Sequence, residues 1–198
     1  MKEDLRVIKT KENIESHFIM LLNEYAFKDI TVKMIVSECK INRSTFYRHY
    51  EDKYALINKI TDKILKKYKK SVQPKLVTVH PQNTKEITQY FIPIIDFFYD
   101  YKRILIPLGK NSLYIDLFEN MFDFMNHTFL KEITSFYNIN QNKMMIVSYY
   151  SNVICSNVLT TMRWWHLENQ ELSKEEILDI LVPCVTKGVF NSMKELQS

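Results

Sequence analysis

Glycine and proline are scarce in this 198-residue chain, which contains only 2 and 5 of them. Because these residues mark the tight turns and strand ends of β proteins, their scarcity disfavours a many-stranded fold and favours long helices. The sequence also has no glycine-rich phosphate loop and no Rossmann glycine motif. The nucleotide-dependent enzymes that rely on those loops are therefore not expected.

Cysteines and long apolar runs are few as well. The three cysteines, Cys39, Cys155 and Cys184, are odd in number and far apart, so a disulfide framework is not predicted. No uncharged apolar run approaches the roughly 18 residues of a membrane span. Residues 1–15 are charged throughout and lack the apolar segment of a signal peptide. We therefore expect a cytoplasmic protein with no membrane partner.

Metal and catalytic motifs are also missing. The histidines and cysteines show no C-x-x-C or H-x-x-x-H spacing, so no metal site is predicted, although distant ligands could still converge. The G-x-S-x-G and H-E-x-x-H signatures of hydrolases are absent. The chain is accordingly predicted to be no enzyme and to need no cofactor.

Charge is distributed unevenly along the chain. Residues 1–70 contain 16 Lys and Arg against 10 Asp and Glu, whereas residues 71–198 contain 11 against 13. A basic N-terminal part is typical of a surface that faces a polyanion. The alternative is that the lysines near residues 63–70 are only the solvated face of a helix.

Residues 31–56 predict two short helices joined by a tight turn and followed by a third helix. Thr31 is a favoured N-cap for the first helix, because apolar residues follow it at helical spacing. Residues 39–42 interrupt that spacing, and a second short helix is predicted over residues 43–49. Its inner side would be anchored by Phe46, and its outer side would show arginine, tyrosine and histidine. The dimensions of such a helix suit the major groove of DNA.

This stretch resembles the helix-turn-helix signature of the TetR family of bacterial transcription regulators. The most specific part is T-F-Y-x-H-[FY]-x-x-K-x-x-L, which residues 45–56 match in full. Lys40 and Ser44 depart from the pattern, since the family usually has glycine at the first position and often at the second. Lys40 is therefore expected either to adopt a positive φ or to lie in another type of turn.

The resemblance implies a DNA-binding surface. The predicted phosphate contacts are Thr31, Tyr47, His49 and Lys53. The predicted contacts to base edges or nearby phosphates are Arg43, Ser44, Thr45 and Arg48. Arginine is the preferred reader of guanine, because its fork spans O6 and N7. The alternatives are a surface ion pair of Arg48 with Glu51 or Asp52, and a core position for Tyr47.

The resemblance also implies an all-α fold of about nine helices in two parts. Residues 1–70 would be the helix-turn-helix domain with its connecting helix, and residues 71–198 a helical effector-binding and dimerisation domain. Residues 71–83 contain two prolines and read as the linker. The last helix should begin at a capping box of Ser173 and Glu176 and continue to about residue 193. More loosely, the last two helices resemble TetR-like proteins of low-GC Gram-positive bacteria, in which a tryptophan precedes a Ser-x-x-Glu helix start.

One recognition helix buries too little surface for high specificity, so a homodimer on a palindromic double-stranded operator is expected. The last two helices of each copy would pair into a four-helix bundle. The predicted interface residues are Tyr150, Ser151, Ile154, Cys155, Val158, Ile177, Leu181 and Val185. The alternative is that these faces form only intramolecular core.

Aromatic residues and methionines are frequent between residues 91 and 165, where they could line an apolar cavity. The predicted pocket residues are Phe91, Phe98, Tyr101, Phe118, Phe122, Met125, Tyr149 and Trp164. Ordinary core packing is the alternative for each of them. The resemblance implies a repressor that a small-molecule effector releases from its operator. An activator, or a regulator controlled by a partner protein or a metal ion, remains an alternative.

Overall fold

The computed structural model describes residues 4–72, 84–113, 115–137 and 141–188. Within these ranges the chain forms nine α-helices and no strand, which confirms the all-α prediction. The helices are α1 (Leu5–Glu24), α2 (Val32–Glu38), α3 (Arg43–Tyr47), α4 (Lys53–Ser71), α5 (Thr84–Asp100), α6 (Lys102–Lys110), α7 (Ile115–Tyr137), α8 (Met144–Glu168) and α9 (Lys174–Lys187). Most of the predicted linker, residues 73–83, lies outside the described residues.

The first three helices enclose a small apolar core. Ile14 and Phe18 of α1 meet Ile35 of α2 and Phe46 of α3, and all four are fully buried. Burying each such side chain contributes about 1.5–3 kcal/mol, which is what holds helices this short in place. Tyr25, which follows the buried Leu21 and Leu22 at helical spacing, is nevertheless 45% exposed. The reason is that α1 ends at Glu24 and the backbone becomes extended at the next residue.

Helix α4 joins this core to a second one built from α5 to α9. Ile64 and Tyr68 near its C-terminal end are buried against α5 and α7. The Tyr68 ring packs edge-on against Phe97 and Phe98, and its hydroxyl lies 3.4 Å from the Met125 sulfur. In the second core α5 packs on α9 and α7 packs on α8, whereas α6 lies between α8 and α1. Helix α6 therefore packs against both the C-terminal helices and the N-terminal core.

Three prolines lie inside the described helices, namely Pro93 in α5, Pro107 in α6 and Pro183 in α9. Proline in a helix interior commonly kinks or ends the helix, but α5 continues past Pro93 and α6 continues past Pro107. Each proline costs its helix one hydrogen bond. In α6 that loss is offset by the burial of Leu105 and Leu108 on either side of Pro107. Tertiary packing therefore extends α6 to Lys110.

The last helix begins as predicted and ends earlier. The Glu176 N–H donates to the Ser173 hydroxyl at 3.2 Å, and the Ser173 N–H donates to the Glu176 carboxylate at 2.8 Å, which confirms the capping box. The helix ends at Lys187 because Gly188 has a φ of 80°, outside the helical region. Residues 189–193, which were predicted to continue the helix, lie outside the described ranges.

One histidine belongs to the second core. His166 is 2% exposed and lies edge-on to Phe98, with ring centroids 5.5 Å apart. Burial lowers its pKa to about 4, so the imidazole is neutral at physiological pH. This histidine is therefore a packing residue near neutral pH. None of the described helices combines the length and the apolarity that crossing a bilayer requires.

Candidate nucleic-acid interface

The turn between α2 and α3 is closed by local hydrogen bonds. Thr31 caps α2, since its hydroxyl accepts from the Met34 N–H at 3.2 Å. At the other end Lys40 has a φ of 53°, which confirms the expected positive φ. The Lys40 N–H donates to the Ser37 carbonyl and the Ile41 N–H to the Val36 carbonyl, at 3.2 and 3.1 Å. This is a Schellman cap, in which lysine takes the place that glycine usually holds.

Helix α3 is held from behind by aromatic side chains. Phe46 is fully buried, as predicted for the inner side of this helix, and Tyr50 is 4% exposed. The Tyr50 hydroxyl donates to the Glu15 carboxylate on α1 at 2.8 Å. The helix itself ends at Tyr47, and so it is shorter than the sequence predicted. Arg48 is its C-cap and His49 lies in the following turn.

The outer side of α3 faces solvent. Arg43, Ser44 and Arg48 are exposed, and Tyr47 is 55% exposed, so Tyr47 is not a core residue. Thr45 and His49 are half-buried, and Thr31 lies exposed at the start of α2. Among the described residues neither arginine forms an ion pair, and the alternative pairing of Arg48 with Glu51 or Asp52 does not occur. Contacts of these side chains to DNA stay a prediction.

Lys53 differs from the predicted phosphate contacts. Its ammonium donates to the carbonyls of Phe27, Lys28 and Ile30 at 2.7, 3.0 and 2.7 Å. It also lies 4.7 Å from the centre of the Phe27 ring. Since an ammonium has three N–H donors, these carbonyls occupy all of them. In this structure the side chain fastens the α1–α2 connection to the start of α4, and the phosphate contact predicted for Lys53 stays a prediction.

No sequence motif pointed to Asn111, the C-cap of α6. Its side-chain carbonyl accepts from the Phe27 N–H at 2.7 Å, and its amide donates to the carbonyls of Leu22 and Pro107, both at 2.9 Å. We call these three bonds the Asn111 bridge. Phe27 is thus held on both sides, by Asn111 at its N–H and by Lys53 at its carbonyl. The bridge ties α6 to the connection that leads into the helix-turn-helix.

Replacing Asn111 with alanine should lower the free energy of unfolding by about 1–3 kcal/mol, because it leaves the half-buried Phe27 N–H and Leu22 carbonyl without partners. Urea denaturation followed by circular dichroism measures this change. Asn169→Ala is the matched control, because Asn169 is the C-cap of α8 and is likewise half-buried. It should shift stability by less than about 0.5 kcal/mol. Equal losses in both variants would contradict a special role for the bridge.

The eight predicted pocket residues do not surround one described cavity. Three of them are buried in the second core, namely Phe91, Phe98 and Met125. Two of them line a groove of about 520 Å³ between α7 and α8, namely Phe118 and Phe122. Tyr149 is 65% exposed on α8, whereas Tyr101 and Trp164 are half-buried. Their role in an effector pocket stays a prediction that this placement does not favour.

The predicted dimer residues fall on two sides of their helices. Five of the eight are buried inside the protomer, namely Ser151, Cys155, Val158, Ile177 and Leu181. Ser151, for example, hydrogen-bonds the Asn126 side chain of α7. A second copy cannot touch these five side chains in this conformation. Of the other three, Ile154 and Val185 are half-buried and Tyr150 is 59% exposed. The large apolar side chains that α8 and α9 expose are Met145, Ile146, Tyr149, Tyr150 and Val153 on α8 and Ile180 on α9.

Metal ligands do not gather in the part of the chain that the structure describes. Within it no three His, Cys, Asp or Glu side chains are placed to share an ion. Its three cysteines are free thiols, and burial raises the pKa of Cys39 to about 11 and that of Cys155 to about 12. Both thiols are therefore protonated and unreactive at neutral pH.

Comparison with known proteins places the site in a family. The family model for bacterial regulatory proteins of the tetR family matches residues 19–60, which span the end of α1, the helix-turn-helix and the start of α4. Comparison with curated proteins gives no significant match.

Two solved structures share the fold over most of the chain. A TetR transcriptional regulator from Streptococcus agalactiae aligns with a TM-score of 0.58 and 20% identity, covering 91% of this chain and 96% of that one. Thermus thermophilus FadR, a TetR-family transcriptional repressor solved with lauroyl-CoA, aligns with a TM-score of 0.54 and 16% identity, covering 90% and 94%. The helix-turn-helix segment thus matches the tetR family model, and the chain shares its fold with these two TetR-family structures.

Proposed function

We propose that this protein represses transcription by binding a palindromic operator as a homodimer, and that a small-molecule effector releases it. The observation that carries the proposal is the outer side of α3. There Arg43 and Arg48 are exposed and form no ion pair among the described residues, on a helix anchored by Phe46. Arginines held in this way are available to phosphates and to guanine edges.

The two proposed domains would have separate roles, DNA binding in the first and effector binding with dimerisation in the second. Residues 1–70 would bind DNA through α3, with Thr31, Tyr47 and His49 at phosphates and Arg43, Ser44, Thr45 and Arg48 nearer the bases. Residues 71–198 would bind the effector and the second copy. The support for an effector is indirect, since the similar FadR structure contains lauroyl-CoA.

The proposed dimer surface is the exposed apolar side of α8 and α9. Tyr149 and Val153 lie one turn apart on α8 and are 65% and 47% exposed, and Ile180 of α9 is 43% exposed. Contiguous exposed apolar side chains on a folded protein mark an interaction surface. A two-fold axis beside α8 would pair this surface with itself, because a symmetric dimer uses the same patch twice.

Release would follow from a shift between two dimer conformations. In one the two α3 helices are spaced for successive major grooves, about one DNA turn apart, and in the other they are not. An effector releases the operator only to the extent that it binds the second conformation more tightly. A ligand with equal affinity for both would leave DNA binding unchanged.

Fluorescence anisotropy tests the DNA-binding part of the proposal. The protein is titrated against the DNA upstream of its own gene and against random DNA, across a salt series. Selective binding with a steep salt dependence is expected, because phosphate contacts release counterions. Weak binding that does not distinguish any tested promoter from random DNA would contradict the proposal.

The variant Arg48→Ala should lose about 1–3 kcal/mol of discrimination at one base position while keeping most of its affinity for random DNA. Tyr47→Phe removes a hydroxyl proposed to bind phosphate, so it should weaken binding to both DNAs alike. Lys59→Ala, on the exposed side of α4, is the control for lost positive charge. Anisotropy with single-base operator variants provides the measurement. If Arg48→Ala lowered the affinity for operator and random DNA equally, Arg48 would not be a base contact.

A further inference from the structure

A groove of about 730 Å³ lies between α1 and α6, and none of the residues predicted to form the effector pocket lines it. This volume is within the range of about 300–1,000 Å³ that small-molecule sites occupy. Its apolar side chains come from three helices. They are Ile19, Met20, Ile60, Ile104, Ile106 and Pro107. Met20 is 59% exposed although it is apolar, so part of this lining is open to solvent.

The α6 wall of the groove is positively charged. Arg103 and Lys110 lie seven residues apart, about two helical turns, with Ile106 between them on the same side. In the described parts of the chain neither cation has an ion-pair partner. Lys102 also lines the groove, but its ammonium lies 4.0 Å from the centre of the Tyr99 ring.

The α1 wall carries two carboxylates, of which one is compensated. Glu15 accepts from the Lys63 ammonium at 2.5 Å and from the Tyr50 hydroxyl at 2.8 Å. Glu12 lies nearly one turn away and is exposed to solvent. An apolar lining with cations along one wall is complementary to a molecule that has an apolar body and an anionic head.

We propose that the groove between α1 and α6 binds an amphipathic anion, a carboxylate with an apolar body. Arg103 would take the carboxylate through its guanidinium fork, and Lys110 would add a second positive charge. The apolar body would lie over Met20 and Ile106. This inference deepens the proposed function, since the ligand would be the effector, but its binding can be measured without DNA.

The groove is placed to influence the helix-turn-helix. Pro107, which lines it, is also an acceptor in the Asn111 bridge, and the other carbonyl acceptor, Leu22, precedes the lining residue Asn23. A ligand that changes the spacing of α1 and α6 would act on this bridge. From there the Phe27 backbone continues to Lys53 at the start of α4. Binding in the groove would thus be transmitted to the segment that positions α2 and α3.

Isothermal titration calorimetry of the full chain with sodium octanoate tests the site, with 1-octanol as the neutral ligand of the same length. Octanoate should bind at least about tenfold more tightly, a difference of about 1.4 kcal/mol. The double variant Arg103→Ala/Lys110→Ala should lose that advantage while its octanol affinity stays the same. Lys59→Ala/Lys66→Ala removes the same charge from the exposed side of α4 and should bind octanoate normally. Met20→Asp should weaken the binding of both ligands.

Three results would overturn the site. They are octanol binding as tightly as octanoate, full octanoate affinity in the Arg103→Ala/Lys110→Ala variant, and no octanoate binding by the native chain. The effector role is judged separately by adding octanoate to the operator complex. Octanoate binding without DNA release would keep the site and reject its regulatory role. A failure of the chain to bind any operator would reject the proposed function, while the calorimetry still decides the groove.

Discussion

Replacement of Lys53 by methionine lowers the free energy of unfolding by about 2–4 kcal/mol, because three backbone carbonyls lose a charged hydrogen-bond donor at once. Methionine keeps most of the aliphatic chain over Phe27, so the loss reports on the ammonium. DNA binding by the folded fraction should weaken for operator and random DNA together, since the α1–α2 connection and the start of α4 loosen. The dependence of affinity on salt should stay unchanged. Urea denaturation and an anisotropy salt series measure the two quantities.

A control variant and a change in the salt dependence test this role of Lys53. Lys59→Met changes an exposed lysine on the same helix and should shift stability by less than about 0.5 kcal/mol. If Lys53 contacts phosphate in the DNA complex, its replacement would also reduce the salt slope by about one. That outcome would show that Lys53 exchanges its carbonyl partners for DNA phosphate in the complex.

Introducing glutamate at Val153 should convert the proposed dimer into a monomer and weaken operator binding by about 100-fold or more. A two-fold interface would bury the new carboxylate twice, and an unpaired buried charge costs several kcal/mol. A monomer then holds only one half-site, which removes the second set of phosphate and base contacts. Sedimentation velocity gives the oligomeric state, and anisotropy gives the affinity.

Ile92→Glu is the matched control, because Ile92 is an apolar residue that is 38% exposed on α5 and does not belong to the proposed dimer surface of α8 and α9. This variant should keep the native oligomeric state and DNA affinity. A Val153→Glu protein that still sediments as a dimer with unchanged affinity would place the interface elsewhere. A native protein that is monomeric at all tested concentrations would reject the homodimer itself.

Features that depend on neighbouring residues could be predicted from the sequence. The Thr31 cap and the capping box of Ser173 with Glu176 each join groups three residues apart, so short motifs describe them fully. Lys40 likewise has a positive φ because of the turn in which it lies. Phe46 was predicted to be buried, since it was the best apolar anchor of a very short helix.

The sequence could not predict which apolar side of α8 faces outward. This helix carries apolar residues on more than one side, so periodicity could not tell its inner side from its outer side. Packing against α7 buried Ser151, Cys155 and Val158, and it left Tyr149 and Val153 in solvent. Packing inside the protomer therefore decides which apolar side of α8 stays exposed and available to a partner.

The sequence by itself determined the helical class, the helix-turn-helix and the side of α3 that faces outward, because caps, turns and helical spacing are local properties. Only the tertiary structure decided what Lys53 and Asn111 do. The carbonyls that bind Lys53 lie 23 to 26 residues away, and Asn111 reaches partners 84 and 89 residues away. No short-range pattern predicts contacts over such sequence separations, since they form only when α4 and α6 pack against the end of α1 and the connection that follows it. The same packing creates the groove, whose walls come from helices that are far apart in the chain.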